Sequence, residues 1–206
     1  MATAIYVMPL ARFLAADFER PPGIADDPYA SARKPSSPET AASRVAEIQA
    51  HLGRTVGRPC EWEDTGEVVL AEVFDPNLLH TVRSLAAHQE YPDRFLFVKR
   101  GFRLYDDPRD HPGLRRIFDG DETAFPHLMR HSDNKGFWLP VDLEEPIATS
   151  EPEWWMTGSV RGVLGELARL EPLLAEVDPR VREAWDTLQR LFAAAREHNL
   201  PVILDS

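Results

Sequence analysis

The stretch "FPHLMRHSDNKGFWLP", which begins at Phe125, contains residue types that could do chemistry. His127 and His131 stand four residues apart, and Asp133 follows two residues later. On a short helix both imidazoles would lie on one face, one turn apart. That spacing can bring two nitrogen ligands to one metal ion, with Asp133 as the third ligand or His111 approaching from the preceding loop. The same pair without a metal could act as an acid–base couple, so a hydrolase is the alternative function that the sequence leaves open.

A structural interpretation competes with this chemistry and is favoured by the pattern of apolar residues. Phe125, Leu128 and Met129 recur at helical spacing and are expected to face the core. The two histidines then lie on the opposite, solvated face. The residues "SDNKG" are typical of a turn, and "FWLPV" alternates in the manner of an edge strand. We therefore predict a helix–turn–strand unit, no metal site and no cofactor.

Composition restricts the partners that the protein could have. The chain has 206 residues, with 34 acidic and 23 basic side chains and a net charge of −11. Such a charge disfavours binding to nucleic acid and favours a protein partner with a basic surface. Phosphate-binding glycine loops, dinucleotide fingerprints, serine-nucleophile elbows and zinc-protease motifs are all missing. The sequence thus predicts a non-enzymatic protein-binding protein, an inhibitor or an immunity-type partner, and leaves its oligomeric state open.

Three tryptophans are candidates for contacting that partner. Trp154 and Trp155 are adjacent, surrounded by acids and followed by a helix. Large aromatic side chains next to charge are typical of interface anchors. Trp138 belongs to the expected edge strand and is the third candidate.

The expected compartment is the cytoplasm. One cysteine, Cys60, allows no internal disulfide. The first residues lack the basic and small-residue features of a signal peptide. No apolar stretch approaches the ~20 residues that span a bilayer, so no membrane partner is expected.

The order of predicted elements indicates a single mixed α/β or α+β domain over residues 1–206. We expect a small central sheet with packed helices, two consecutive C-terminal helices and a short final strand. A long proline-rich loop is expected at about residues 19–37. Cap residues predict where helices begin, and a following proline often occupies the first helical position; these starts are Ser37, Asp75, Ser159 and Asp178. The helix after Ser37 is expected to run to about Leu52 and to stop at Gly53. Strands are expected at residues 4–10, 67–74, 94–100, 137–141 and 202–204.

The second half of the chain resembles a set of small bacterial proteins of no established activity. The resemblance is carried by "HLMRHSD", "GFWLPVD", a "GS" that opens a leucine-rich helix, and the closing "PVILDS". It extends from about Phe125 to the end and implies no catalytic residue. Small acidic cytoplasmic bacterial proteins without catalytic motifs are often partners or inhibitors of other proteins, including immunity proteins against toxins; this is an association of protein type and not a match of residues.

Overall fold

A six-stranded mixed sheet forms the centre of the computed structural model, which describes residues 3–24, 36–92, 105–133, 135–149 and 156–205. The strands are β1 (Thr3–Val7), β2 (Leu70–Phe74), β3 (Gly136–Leu139), β4 (Ile147–Ala148), β5 (Met156–Ser159) and β6 (Val202–Asp205). Their order across the sheet is β2-β1-β6-β3-β5-β4. β3 and β5 run parallel, and the other neighbouring strands run antiparallel.

Seven α-helices lie within the described ranges. They are α1 (Leu10–Ala15), α2 (Pro38–Val56), α3 (Pro76–Glu90), α4 (Pro112–Phe118), α5 (Pro126–Met129), α6 (Val160–Leu170) and α7 (Pro179–His198). Single stretches of 3-10 helix cover Pro108–Asp110 and Glu171–Glu176. The predicted cap residues Ser37, Asp75, Ser159 and Asp178 each accept a hydrogen bond from a backbone N–H of the first turn. The predicted mixed fold, with its two C-terminal helices and final strand, is confirmed.

Helices cover both faces of the sheet because successive strand residues point to opposite sides. Ile5 and Trp138 face the larger core, to which α3 to α7 contribute. Tyr6 and Phe137 face the smaller core, which α1 and α2 cover. The predicted alternation in β3 is confirmed, but its predicted edge position is wrong. β3 pairs with both β5 and β6, and Pro140 follows the last strand residue, where its missing N–H breaks no ladder bond.

The C-terminal helices pack on each other and on the sheet as predicted. Leu167, Leu170, Leu188 and Phe192 are buried. Trp185 is half-buried, and its indole N–H donates to the carbonyl of Leu167 at 3.0 Å. α6 also packs against α5, and the histidine pair lies in α5 and the residues that follow it.

Some predicted boundaries shift, and some predictions fall outside the described residues. α2 continues past Gly53, its predicted end, and stops before Gly57, whose φ of +76° closes the helix. The predicted strand at 94–100, residues 25–35 of the proline-rich loop, and the Trp154–Trp155 pair all lie outside the described residues. Among the helices that the structure describes, none has the length and apolar character needed to cross a membrane.

Candidate functional site

His127 lies in the core, and the prediction that it occupies a solvated face is wrong. Its side chain bridges two separate parts of the fold. Nε2 donates to the carbonyl of Leu143 at 2.9 Å, and Nδ1 accepts from the backbone N–H of Ser159 at 3.2 Å. These partners require a neutral imidazole with its proton on Nε2. Burial keeps the pKa of His127 below its usual range, so the neutral form is present at pH 7.

His131 is buried as well, which corrects the same prediction for the second histidine. Its ring stacks on Trp138 with centroids 3.6 Å apart. Nδ1 and Nε2 each lie 2.9 Å from a backbone carbonyl, those of Ser132 and Phe137. Burial lowers the pKa of His131 to about 4. Trp138 is 2% exposed, so the prediction that it contacts a partner at the surface is also wrong.

Glycines on neighbouring elements make the room for both imidazoles. A Cβ at Gly162 of α6 would lie 2.2 Å from the ring of His127. A Cβ at Gly136 would lie 2.6 Å from the ring of His131, and one at Gly158 would lie 2.5 Å from the ring of Trp138. Such distances are far inside van der Waals contact, so the ring positions depend on these glycines.

Two buried charges hold the ends of the one-turn helix α5. The carboxylate of Glu166 accepts from the N–H groups of His127 and Leu128 at 2.8 and 2.7 Å. The guanidinium of Arg83 donates to the carbonyls of Leu128 and His131 at its other end, both at 2.5 Å. The negative group faces the positive end of the helix and the positive group its negative end. Burial nevertheless raises the pKa of Glu166 to about 7 and lowers that of Arg83 to about 10.

The other two predicted metal ligands, Asp133 and His111, bind different partners. Asp133 binds Nε2 of His80 at 2.8 Å. His111 starts α4, where its Nδ1 accepts from Gly113, and its ring packs against those of His88 and Tyr105. Across the described ranges, no three His, Cys, Asp or Glu side chains form a group that could hold a metal ion. The arrangement around α5 organises the core and brings no predicted ligand set together.

An acidic surface feature is the segment 61–67, "EWEDTGE", here called the acidic loop. It holds four carboxylates, those of Glu61, Glu63, Asp64 and Glu67, and no basic residue. All but Asp64 are exposed. Glu61 and Glu63 have no ion-pair partner among the described residues. The loop joins α2 to β2 at the side of the sheet that carries the smaller core.

Buried anchors fix the path of the acidic loop. Trp62 is 7% exposed, and its carbonyl accepts from Gln49 Nε2 of α2 at 2.8 Å. Its indole N–H donates to Asp64 at 3.0 Å. Asp64 also accepts from the N–H groups of Leu10 and Ala11, at 2.8 and 2.7 Å, at the start of α1. Inward-facing residues therefore hold the backbone while its glutamates point to solvent.

Arg12, at the edge of the acidic loop, pairs with one carboxylate of the loop and one outside it. Arg12 binds Glu67 at 2.7 Å and Asp17 at 3.1 Å. The side chains of these two acids remain 89% and 71% exposed. The pairing orders the carboxylates without covering them.

Elsewhere on the surface, some of the basic groups pair locally with acids. Six exposed or partly exposed arginines each pair with an Asp or Glu; they are Arg109, Arg116, Arg130, Arg161, Arg180 and Arg190. Other exposed arginines, among them Arg44, Arg54, Arg115 and Arg196, have no ion-pair partner among the described residues. Because acidic side chains outnumber basic ones by 34 to 23, the chain still offers a partner more carboxylates than cations.

Sequence reasoning missed the acidic loop and the two charges around α5, although each left a signal. Four acids in seven residues without a base mark the loop. Arg83 and Glu166 interrupt the apolar positions of their helices, next to Val82 and Leu167. A charge inside an apolar stripe indicates a buried charge with a specific partner.

Comparison with known proteins gives one family. No curated protein and no solved structure matches the chain. A family model matches residues 1–203 and so includes the first half of the chain, which the resemblance to small bacterial proteins did not cover. The match contradicts the predicted immunity-type function, its hydrolase alternative and the partner predicted with them. The chain belongs to the family described as "Putative DNA-mimic protein".

Proposed function

We propose that this protein is a DNA mimic, which occupies the DNA-binding surface of another protein with its own carboxylates. Family membership and the net charge of −11 support this function. The predicted partner was a protein of unspecified class with a basic surface. The corrected partner is a protein that recognises DNA, whose lysines and arginines ordinarily contact phosphates.

The single observation that carries the proposal is the anchored acidic loop. DNA presents about one negative charge per 1.7 Å of helix axis, so a mimic must present closely spaced negative groups. Glu61, Glu63 and Glu67 are exposed within seven residues. The bonds of Trp62 and Asp64 fix the backbone between them before any partner arrives. Preorganisation of this kind lowers the entropy cost of binding.

The net charge and single cysteine also support action inside the cytoplasm, where DNA-binding proteins are encountered. A chain with one cysteine forms no internal disulfide and suits a reducing compartment.

A capture experiment with DNA competition tests the proposed function. The immobilised protein is exposed to an extract of its native host, and retained proteins are eluted with increasing salt and identified. We expect a DNA-binding protein that double-stranded DNA displaces. Its retention should fall steeply with salt, because opposite charges at the interface are screened. A retained protein that binds no DNA, or that DNA does not displace, contradicts the proposal.

A pair of charge-matched variants assigns the interaction to the acidic loop. The test variant carries Glu61→Gln, Glu63→Gln and Glu67→Gln. The control carries Glu47→Gln, Glu171→Gln and Glu197→Gln, at exposed helical positions outside the loop. Both remove three negative charges, so net charge alone affects them equally. We expect about a tenfold or greater loss of affinity for the test variant only. Equal losses would show that overall charge, and not the loop, carries binding.

A further inference from the structure

His127 connects the loop that follows β3 to the junction of β5 and α6. Leu143 lies in that loop, which spans residues 140–146 and is here called the Leu143 loop. The carbonyl of Leu143 can only accept a hydrogen bond, and the N–H of Ser159 can only donate one. A neutral imidazole with a proton on Nε2 satisfies both partners, and an imidazolium satisfies only the carbonyl.

The side chains of Val141 and Leu143 are buried in the smaller core. The other polar contacts of the Leu143 loop are more exposed or involve backbone groups near its ends. Ser159 Oγ donates to the carbonyl of Val141 at 2.7 Å, and Arg58 donates to that of Asp142 at 2.9 Å. Arg161 and Arg130 form exposed ion pairs with Asp142 and Glu145. Exposed pairs of this type contribute little to stability, typically about 0–1 kcal/mol. His127 therefore makes the buried polar contact that joins the middle of the loop to the start of α6.

We propose that His127 is a pH-sensitive latch, which holds the Leu143 loop while its imidazole is neutral and releases it when Nδ1 gains a proton. A proton on Nδ1 would point at the N–H of Ser159, so that two donors face each other. The bond to Ser159 is lost, and the buried positive charge has lost the solvation it would have in water. The ring can relieve both penalties by moving outwards, which takes Leu143 with it.

The charges around His127 determine the pH at which this occurs. Glu166 faces it from α6, Glu145 from the Leu143 loop, and His131 from the residues that follow α5. Burial lowers the pKa of His127, while the Leu143 carbonyl and Glu145 act in the opposite direction. The stability provided by the neutral ring is therefore complete above about pH 6.5 and is lost as the pH falls through the lowered pKa of the folded protein.

The latch itself does not depend on the proposed function, but its consequence for binding does. The Leu143 loop carries Asp142, Glu144 and Glu145. Release of the loop would displace three carboxylates of an acidic surface, and so would change how that surface fits a DNA-binding partner in acid.

Amide hydrogen exchange tests the latch without a partner. Exchange of residues 140–146 is followed from pH 7.5 to 4.5, corrected for intrinsic rates, with α7 as the internal reference for global unfolding. We compare the wild type with His127→Gln, whose amide can donate to the Leu143 carbonyl and does not titrate. Protection of the loop should fall about tenfold in acid in the wild type, as expected when one buried hydrogen bond is lost, and stay constant in the variant. The same fall in both proteins, or none in the wild type, overturns the proposal.

Nitrogen NMR of His127 in the wild type keeps the test decisive if the variant does not fold. We expect the proton on Nε2 at pH 7.5 and a pKa below 6.5. A proton on Nδ1, or a pKa above 6.5, overturns the latch. DNA competition is unaffected by either outcome, so failure of the latch and failure of the proposed function are distinguishable.

Discussion

Glu166 and Arg83 bind opposite ends of the same helical turn. Glu166 accepts from the N–H groups of His127 and Leu128, while Arg83 donates to the carbonyls of Leu128 and His131. A helix as short as α5 has no internal partner for most of its backbone groups. The two buried side chains supply those partners from α6 and α3, so α5 owes its conformation to the helices around it.

Replacing Arg83 with methionine should destabilise the protein by about 3 kcal/mol, because two buried carbonyls lose a charged donor. The measurement is the free energy of unfolding in urea. Arg109→Met is the control, since Arg109 is exposed and solvent screens its ion pair, so its loss should change stability far less. Similar values for the two variants would show that Arg83 is not required at the end of α5.

The stability difference between wild type and Glu166→Gln should depend on pH. Burial raises the pKa of Glu166 from 4.5 to about 7 in the folded protein, so the folded state retains a proton that the unfolded chain releases. That stabilisation is complete below pH 4.5 and is lost as the pH rises to 7. Between pH 4.5 and 8, the free energy of unfolding of the wild type should fall by about 3 kcal/mol relative to that of the variant. A difference that grows with pH would mean that the two N–H donors outweigh burial.

Two glycines of α6 should respond oppositely to the same substitution. Gly162→Ala makes the new methyl group clash with the ring of His127. We therefore expect the free energy of unfolding to fall by at least about 2 kcal/mol. Gly165 has open space around it, and Gly165→Ala should stabilise the helix by about 0.5–1 kcal/mol. Thermal and urea unfolding of both variants provide the measurement. A neutral effect at Gly162 would refute the close packing of His127.

Asp64→Ala should loosen the acidic loop and the start of α1 together. The substitution removes the acceptor for Leu10, Ala11 and the Trp62 indole, with an expected cost of about 1–2 kcal/mol. Amide exchange in residues 61–67 should become faster. Glu63→Ala, which removes an exposed charge from the same loop, should leave both stability and exchange nearly unchanged. Unchanged exchange in Asp64→Ala would show that other contacts fix the loop.

Local sequence signals predicted much of the secondary structure. At Ser37, Asp75, Ser159 and Asp178 the cap residue alone indicates where a helix begins, because its side chain bonds a backbone N–H two or three residues later. The end of α2 was predicted four residues early. Gly53 is tolerated within the helix, whereas Gly57 has the positive φ that stops it.

The surroundings of the histidine pair could not be predicted from local signals. Periodicity places His127 opposite the apolar residues of α5, and that inference assumes that solvent lies on the polar side. In the structure α6 and β5 occupy that side, brought there by contacts between distant parts of the chain. The acidic loop, in contrast, is visible as charge composition, although its anchors Asp64 and Gln49 are recognisable only in the folded protein.

The residues at positions 162 and 127 are expected to change together during evolution. The missing side chain of Gly162 is the space in which the ring of His127 sits. A family member with alanine at the position of Gly162 would need a smaller residue at that of His127, so the two positions should change together. Gly136 with His131 and Gly158 with Trp138 form two further pairs of this kind. Covariation among family members would thus record the packing around α5 independently of any measurement on this chain.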